Sequence, residues 1–291
     1  MGESIQFTPA CLRRAFFVLA ALCTATTASA GPAPATPPPL AQVGKPDQAE
    51  SARILDLFRR SGWRGYLEFD LRALPKRGDE VDYSSRLWGG LNEQGAITRV
   101  EVTDAKKKTH RFLLQNGEHA AVWRVSDGQV AQLGGEALFQ PLIPGIEVTP
   151  FDLQMPFLYW PGAVVENIVR VRGRPAYVFL FTPPTAFSER YSKLKRVRAY
   201  FDAQFKVPIQ IELLGASEVL KTMSLVDLKK VGEQWIPKSF DIRNDVTRDK
   251  TRFQVTAAAL NLEFPNSVFA PATLDQAVPP PAPDRIVRVE P

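Results

Sequence analysis

Thiols and imidazoles are almost missing from this chain, which has two cysteines and two histidines in 291 residues. Both cysteines, Cys11 and Cys23, precede Ala30, inside a segment that reads as a cleaved leader, so the processed chain has no disulfide and no thiolate metal site. His110 and His119 sit in neighbouring strand segments joined by Asn116-Gly117. Two imidazoles without an acidic or thiol partner in motif spacing make a poor metal site, and ordinary surface histidines are expected. The serines occupy no G-x-S-x-G elbow, and no glycine-rich loop is built to cradle phosphate. Carboxylates are numerous, but none stands in a diagnostic spacing. The sequence therefore offers no catalytic residue, no metal ligand set and no cofactor motif, and a non-enzymatic protein is expected.

An excess of one charge is also lacking. Lys and Arg number 36 against 31 Asp and Glu, a net +5, and removing the leader takes away Arg13, Arg14 and Glu3. The basic runs at Lys106–Lys108, Lys193–Arg198 and Lys229-Lys230 lie beside turns, which suits solvated loops better than a nucleic-acid patch. No apolar run reaches the roughly 20 residues of a bilayer span. The one at Ala15–Cys23 follows Arg13-Arg14 and precedes Ala28-Ser29-Ala30, the pattern of a signal peptide cut after Ala30. Leu22 stands where a lipoprotein peptidase wants a small residue, which weighs against lipidation of Cys23.

What is present is alternation. Residues 31–46 form a Pro- and Ala-rich linker. Asp47, with Glu50 three residues on, opens a helix whose stripe is Ile54, Leu57 and Phe58 and whose end is Gly62. Strands follow over 63–72, 81–88, 96–103, 109–115, 118–125 and 129–133, with hairpin signals at Asn116-Gly117 and Asp127-Gly128. Phe139 to Trp160 breaks the rhythm. Thr149 can cap a short helix with Pro150 in its first turn, and the crowd of Phe151, Leu153, Met155, Phe157, Leu158, Tyr159 and Trp160 reads either as a plug in an ordinary core or as a lid over an apolar cavity. Two more strands precede a five-strand meander over 196–264, in which Ile209, Ile211 and Leu213, then Phe240 and Ile242, then Phe253, Val255 and Ala257 share one face. About eleven or twelve strands in one sheet must bend strongly or leave long open edges. The expectation is one mainly β (α+β) domain over 47–276, with residues 277–291 a loose Pro-rich tail.

Several stretches together resemble the LolA-like family of outer-membrane lipoprotein-sorting proteins. They are the leader and short helix, Arg64-Gly65-Tyr66-Leu67-Glu68-Phe69, Asp152-Leu153 after an apolar Pro-Gly loop, Gly173-Arg174-Pro175-Ala176-Tyr177, Val197–Asp202 with Pro208-Ile209, and Trp235-Ile236-Pro237. The resemblance implies a half-open antiparallel β-barrel of about eleven strands, an N-terminal helix and a short helical lid over a cavity that shields acyl chains. It implies a periplasmic carrier of lipid or acylated lipoprotein, handing cargo between an inner-membrane transporter and an outer-membrane acceptor, with no nucleic-acid partner. On that reading the cavity is lined by Leu67, Phe69, Phe112, Trp123, Phe151, Phe157, Phe179 and Trp235, with Tyr66 and Tyr177 facing out. Two alternatives stay open: an envelope-stress sensor of the same half-barrel shape that binds a protein, and a hydrolase built on carboxylates near His110 or His119.

Overall fold

The computed structural model describes residues 40–60, 63–117 and 119–290. The expected signal peptide and most of the 31–46 linker lie outside the described residues. The described chain is dominated by antiparallel strands: β1 (Gln42–Gly44), β2 (Gly65–Leu74), β3 (Val81–Asn92), β4 (Gly95–Thr103), β5 (Thr109–Gln115), β6 (Ala121–Ser126), β7 (Gln129–Leu133), β8 (Val164–Val171), β9 (Arg174–Phe181), β10 (Arg196–Asp202), β11 (Pro208–Leu214), β12 (Val219–Val231), β13 (Gln234–Asn244), β14 (Lys250–Leu260) and β15 (Val287–Arg288). Three α-helices accompany them: α1 (Gln48–Arg60), α2 (Pro150–Gln154) and α3 (Thr185–Arg190).

All fifteen strands join one sheet, in the order β1-β8-β9-β10-β11-β12-β13-β14-β2-β3-β4-β5-β6-β7, with β15 added beside β14. Two hairpin-connected runs, β2 to β7 and β8 to β14, meet where β14 pairs β2 from Leu260↔Gly65 to Lys250↔Leu74. Among the described residues the edge strands β1 and β7 do not pair, so the sheet curls into a half-open barrel. Register shifts in β10, β11, β12 and β8 supply the bends, because an extra residue on one strand increases local twist. One such shift, between Val255 and Ala257, changes the expected pattern: Phe253 and Val255 face the main core, but after the bulge it is Ala258 rather than Ala257 that does so.

Asp47 caps α1 as expected, accepting from the backbone N–H groups of Ala49 at 2.8 Å and Glu50 at 3.3 Å. Ile54, Leu55 and Phe58 of that helix enter one large apolar cluster with the concave strand faces. The hairpin at Asp127-Gly128 has both central residues at positive φ, 51° and 75°, as a two-residue turn between twisted strands requires. At Asn116-Gly117 the connection is longer, and the next strand begins at Ala121.

The other face of the sheet is covered too, by the chain beyond β14, including part of the 277–291 tail expected to be loose. Leu262, Phe264, Val268, Phe269, Val278 and Ile286 pack with Tyr66 and Trp88 on the convex side, and Leu274 packs with Ile97 and Leu113. The chain beyond β14 is therefore a strap, and its last part, 277–291, is closed by β15 pairing β14 at Ala257↔Arg288 and by Arg288 reaching Glu68 at 2.6 Å. Likewise β1, within the 31–46 linker, pairs β8 as an edge strand. Gly90 makes room for the strap, since a Cβ there would collide with the Phe269 ring.

Arg99 on β4 holds the strap from within. Only 1% exposed, its guanidinium donates to Glu101 Oε1 (2.8 Å from Nη2) and to the backbone carbonyls of Val268, Thr273, Leu274 and Gln276. Burial pulls the Arg99 pKa down while Glu101 pulls it up. Replacing Arg99 with Leu strips four carbonyls of a donor and leaves Glu101 with Arg111 alone. Breaking a buried pair in this way costs about 3–5 kcal/mol. Urea unfolding should show that loss, and limited proteolysis should now cut within residues 265–290; an unchanged midpoint and protection pattern would mean the strap docks without Arg99.

Candidate functional site

The concave face is closed by the segment that interrupts the strand rhythm. Thr149 caps α2 in a capping box: Asp152 N–H donates to Thr149 Oγ1 at 3.3 Å, and Thr149 N–H donates to Asp152 Oδ2 at 2.9 Å. Pro150 takes the first turn, where a missing N–H costs nothing. Met155 then sits in the left-handed region (φ 49°), and Pro156 starts a further 3-10 turn over Pro156–Tyr159. A tight αL joint between two short turns makes this lid a compact, bent unit rather than one long helix.

Aromatic rings carry the contact between lid and sheet. Phe151 stacks on Phe139 with centroids 4.6 Å apart, and Phe139 stacks on Tyr191 at 3.6 Å. Phe157 meets Phe181 edge-on at 5.3 Å, and the series continues through Phe179, Phe201 and Phe58 of α1. Stacked and T-shaped pairs at these separations add to the area they bury. The interior is accordingly filled by the protein's own side chains. An apolar gap of about 60 Å³ opens where Met155 faces Ile209, Ile211, Met223, Leu225 and Phe240, room for about two waters.

Among the residues expected at the cavity, Phe69, Phe112, Phe151, Phe157 and Phe179 lie in this concave cluster, and Leu67 packs against it half-buried. Trp123 and Trp235 do not. Trp123 pairs Leu113 across β5 and β6, so it shares the convex face with Ile97 and Leu274. Trp235 is 43% exposed, pointing away from its buried neighbour Ile236. Both tyrosines expected outside are buried. Tyr66 does face the convex side, but under the strap, and Tyr177 belongs to the concave cluster because it shares the parity of Phe179 and Phe181. Phe139, Phe187 and Tyr191 were not legible as site residues: they come from turn-rich connections where no period marks a face.

Polar ties fasten the lid at three places. Arg59 of α1 donates from Nε to the Leu158 carbonyl at 2.7 Å and from Nη2 to the Trp160 carbonyl at 3.3 Å. Gln154 Nε2 donates to the carbonyls of Gln115 (2.7 Å) and Ala121 (3.2 Å) at the end of the β5–β6 hairpin. Lys221 of β12 donates to Asp152 Oδ2 and to the Glu147 carbonyl, both at 2.7 Å. The second carboxylate oxygen of Asp152, buried, has no hydrogen-bond partner among the described residues. An unmet acceptor of this kind costs about 1–3 kcal/mol.

Beside this tie, Glu147 accepts from Asn244 Nδ2 at 3.1 Å, and burial raises its pKa against the opposing pull of Asn244 and Lys221. A carboxyl raised in the folded state binds its proton more tightly there than when unfolded. Its contribution to stability is thus greatest at acid pH and falls as pH rises from the ordinary glutamate range through the raised value. Glu147→Gln, neutral throughout, should flatten that part of the profile and leave the protein more stable than the parent at neutral pH, as urea midpoints across pH 4–8 would read.

Comparison with known proteins bears on the fold. A family model, described only as that of an uncharacterized protein, matches residues 164–276. No curated protein matches the chain. Among solved structures, an outer membrane lipoprotein-sorting protein domain from Vibrio parahaemolyticus superposes with a TM-score of 0.67 at 15% identity, covering 78% of this chain and 97% of that one. A DUF1329 family protein from Desulfovibrio piger gives 0.65 at 11% identity, covering 77% and 96%. A LolA superfamily protein from Nitrosomonas europaea gives 0.59 at 15% identity, covering 75% and 96%. With an open, curled antiparallel sheet, a helix on its concave side and a short lid, the chain has the fold of the LolA-like lipoprotein-sorting proteins.

Proposed function

We propose that this protein is a non-enzymatic periplasmic carrier of lipid or acylated lipoprotein, its cargo chains lying between the concave strand faces and the lid. The observation that carries this reading is the lid itself: an aromatic cover over a continuous apolar face, fastened by a few polar ties from α1, β5–β6 and β12 rather than by continuous secondary structure. The fold shared with lipoprotein-sorting proteins supports it. In the closed form the gap near Met155 is far too small for an acyl chain, so uptake requires the lid to swing away and the chain to take the place of lid side chains. Burying one saturated chain of about fifteen methylenes supplies roughly 12 kcal/mol, enough to offset the loss of several hydrogen bonds at about 1.5–3 kcal/mol each. No bond need be made or broken.

Arg59 is the tie best suited to a test, since its removal frees the lid's far end without touching the aromatic lining. Arg59→Leu should take up a fluorescent fatty acid several-fold faster than the parent and unfold at lower urea, by about 1–3 kcal/mol. Native mass spectrometry of detergent-free parent protein should detect a co-purifying lipid or acylated chain. A clean unliganded mass, together with no uptake by parent or Arg59→Leu, would sink the carrier reading and leave the concave face an ordinary packed core.

A further inference from the structure

The meander whose inner face lines the apolar interior carries a depression on its outer face. Alternation along β11, β12 and β13 sends Ile211, Met223 and Ile242 into the apolar cluster and turns Glu212, Thr222 and Asp241 outward. There the sheet's twist forms a polar trough of about 1890 Å³, bounded at one end by the β11–β12 and β13–β14 turns and the β2–β3 loop. Its charge is uneven. Asp241 and Asp245 of the trough are already paired, to Arg252 and Lys250 and to Arg243 respectively. Arg172, Lys195 and Arg196 also line it, are exposed, and form no ion pair among the described residues. Arg172 spends one N–H on the Leu225 carbonyl at 2.7 Å, and its charge is uncompensated.

We infer that this trough is a docking groove for an extended acidic segment of a partner protein. Together with Lys76, exposed and likewise without an ion pair among the described residues, these cations outnumber the trough's one carboxylate outside any ion pair, Glu218, and call for an anionic occupant. The shape selects against a bilayer, which is flat on this scale and would meet only the rim. The composition selects against a polyphosphate or nucleic acid, because Glu212, Glu218, Asp241 and Asp245 stand among the cations and would repel a ligand charged at every unit. A polypeptide suits the mixture. Its carboxylates meet Arg172, Lys195 and Arg196, while its backbone N–H groups find acceptors in the trough's carboxylates and hydroxyls. Since trough and apolar interior lie on opposite faces of the same strands, a partner can be engaged whether or not the interior holds cargo, and the inference does not depend on the carrier reading.

The test is fluorescence anisotropy of the purified protein with a labelled Glu/Ser peptide of about ten residues, roughly 33 Å when extended. Its Gln/Ser counterpart and anionic phosphatidylglycerol vesicles serve as competitors. The acidic peptide should bind, weaken steeply as salt is raised, and lose at least about tenfold in affinity in Lys195→Glu/Arg196→Glu, two exposed positions whose reversal leaves folding intact. Lys106→Glu/Lys107→Glu, in the β4–β5 turn outside the trough, should bind as the parent does. Equal binding of the Gln/Ser peptide, an equal loss in the Lys106/Lys107 variant, no binding at all, or displacement of the peptide by vesicles would each overturn the proposal.

Discussion

A single curled sheet exposes two broad faces; in this protein the concave one is apolar, and so is the convex one over β2–β6 and β14, so neither of these stretches can be left to water. That requirement organises everything outside the strands. The concave side takes α1, the lid and the turn-rich segments around Phe139 and Phe187. The convex side takes the strap beyond β14, pinned by the Arg99 guanidinium. The two coverings differ in kind. The strap is fixed by a buried charge, backbone carbonyls and a strand pairing, whereas the lid is held by rings and a few ties at its margins. The lid is thus held by fewer polar ties than the strap.

The lid also accounts for how little empty space the concave side holds. Void space in a core forfeits dispersion contacts and is costly. Here Phe151, Phe157 and their neighbours fill the space under the curled sheet, and one buried Asp152 oxygen is left unsatisfied among the described residues. The interior is therefore packed with the protein's own rings rather than left void.

Much of this was legible in the sequence where local chemistry decides the outcome. The Thr149–Asp152 capping box, the Asp47 cap, the Asp127-Gly128 hairpin and the five meander strands follow from residue types at fixed spacing. Illegible were features set by distant parts of the chain. Trp123 reads as an inward aromatic until β5–β6 register places it opposite Leu113. Ala257 loses its face to a bulge that no residue type announces. The Pro-rich end looks unstructured because its partners, Arg99, Tyr66 and Trp88, lie far upstream. Lys221 and Arg59 carry no motif: each gains its role only when strands and helix bring it to the lid.

The seam between β14 and β2 has a consequence for how this chain reaches its native state. Each of the two strand runs is built from neighbouring hairpins and can form with short loop closures, but the seam joins Gly65 to Leu260 and must close nearly the whole described chain. Contacts of such long range set the folding rate of β proteins, so the two halves gain structure early and their union is the slow step. Until that union occurs the facing edges of β2 and β14 are unpaired and open to other strands. Assembly thus runs from the hairpins to the seam, and that order is written in the topology.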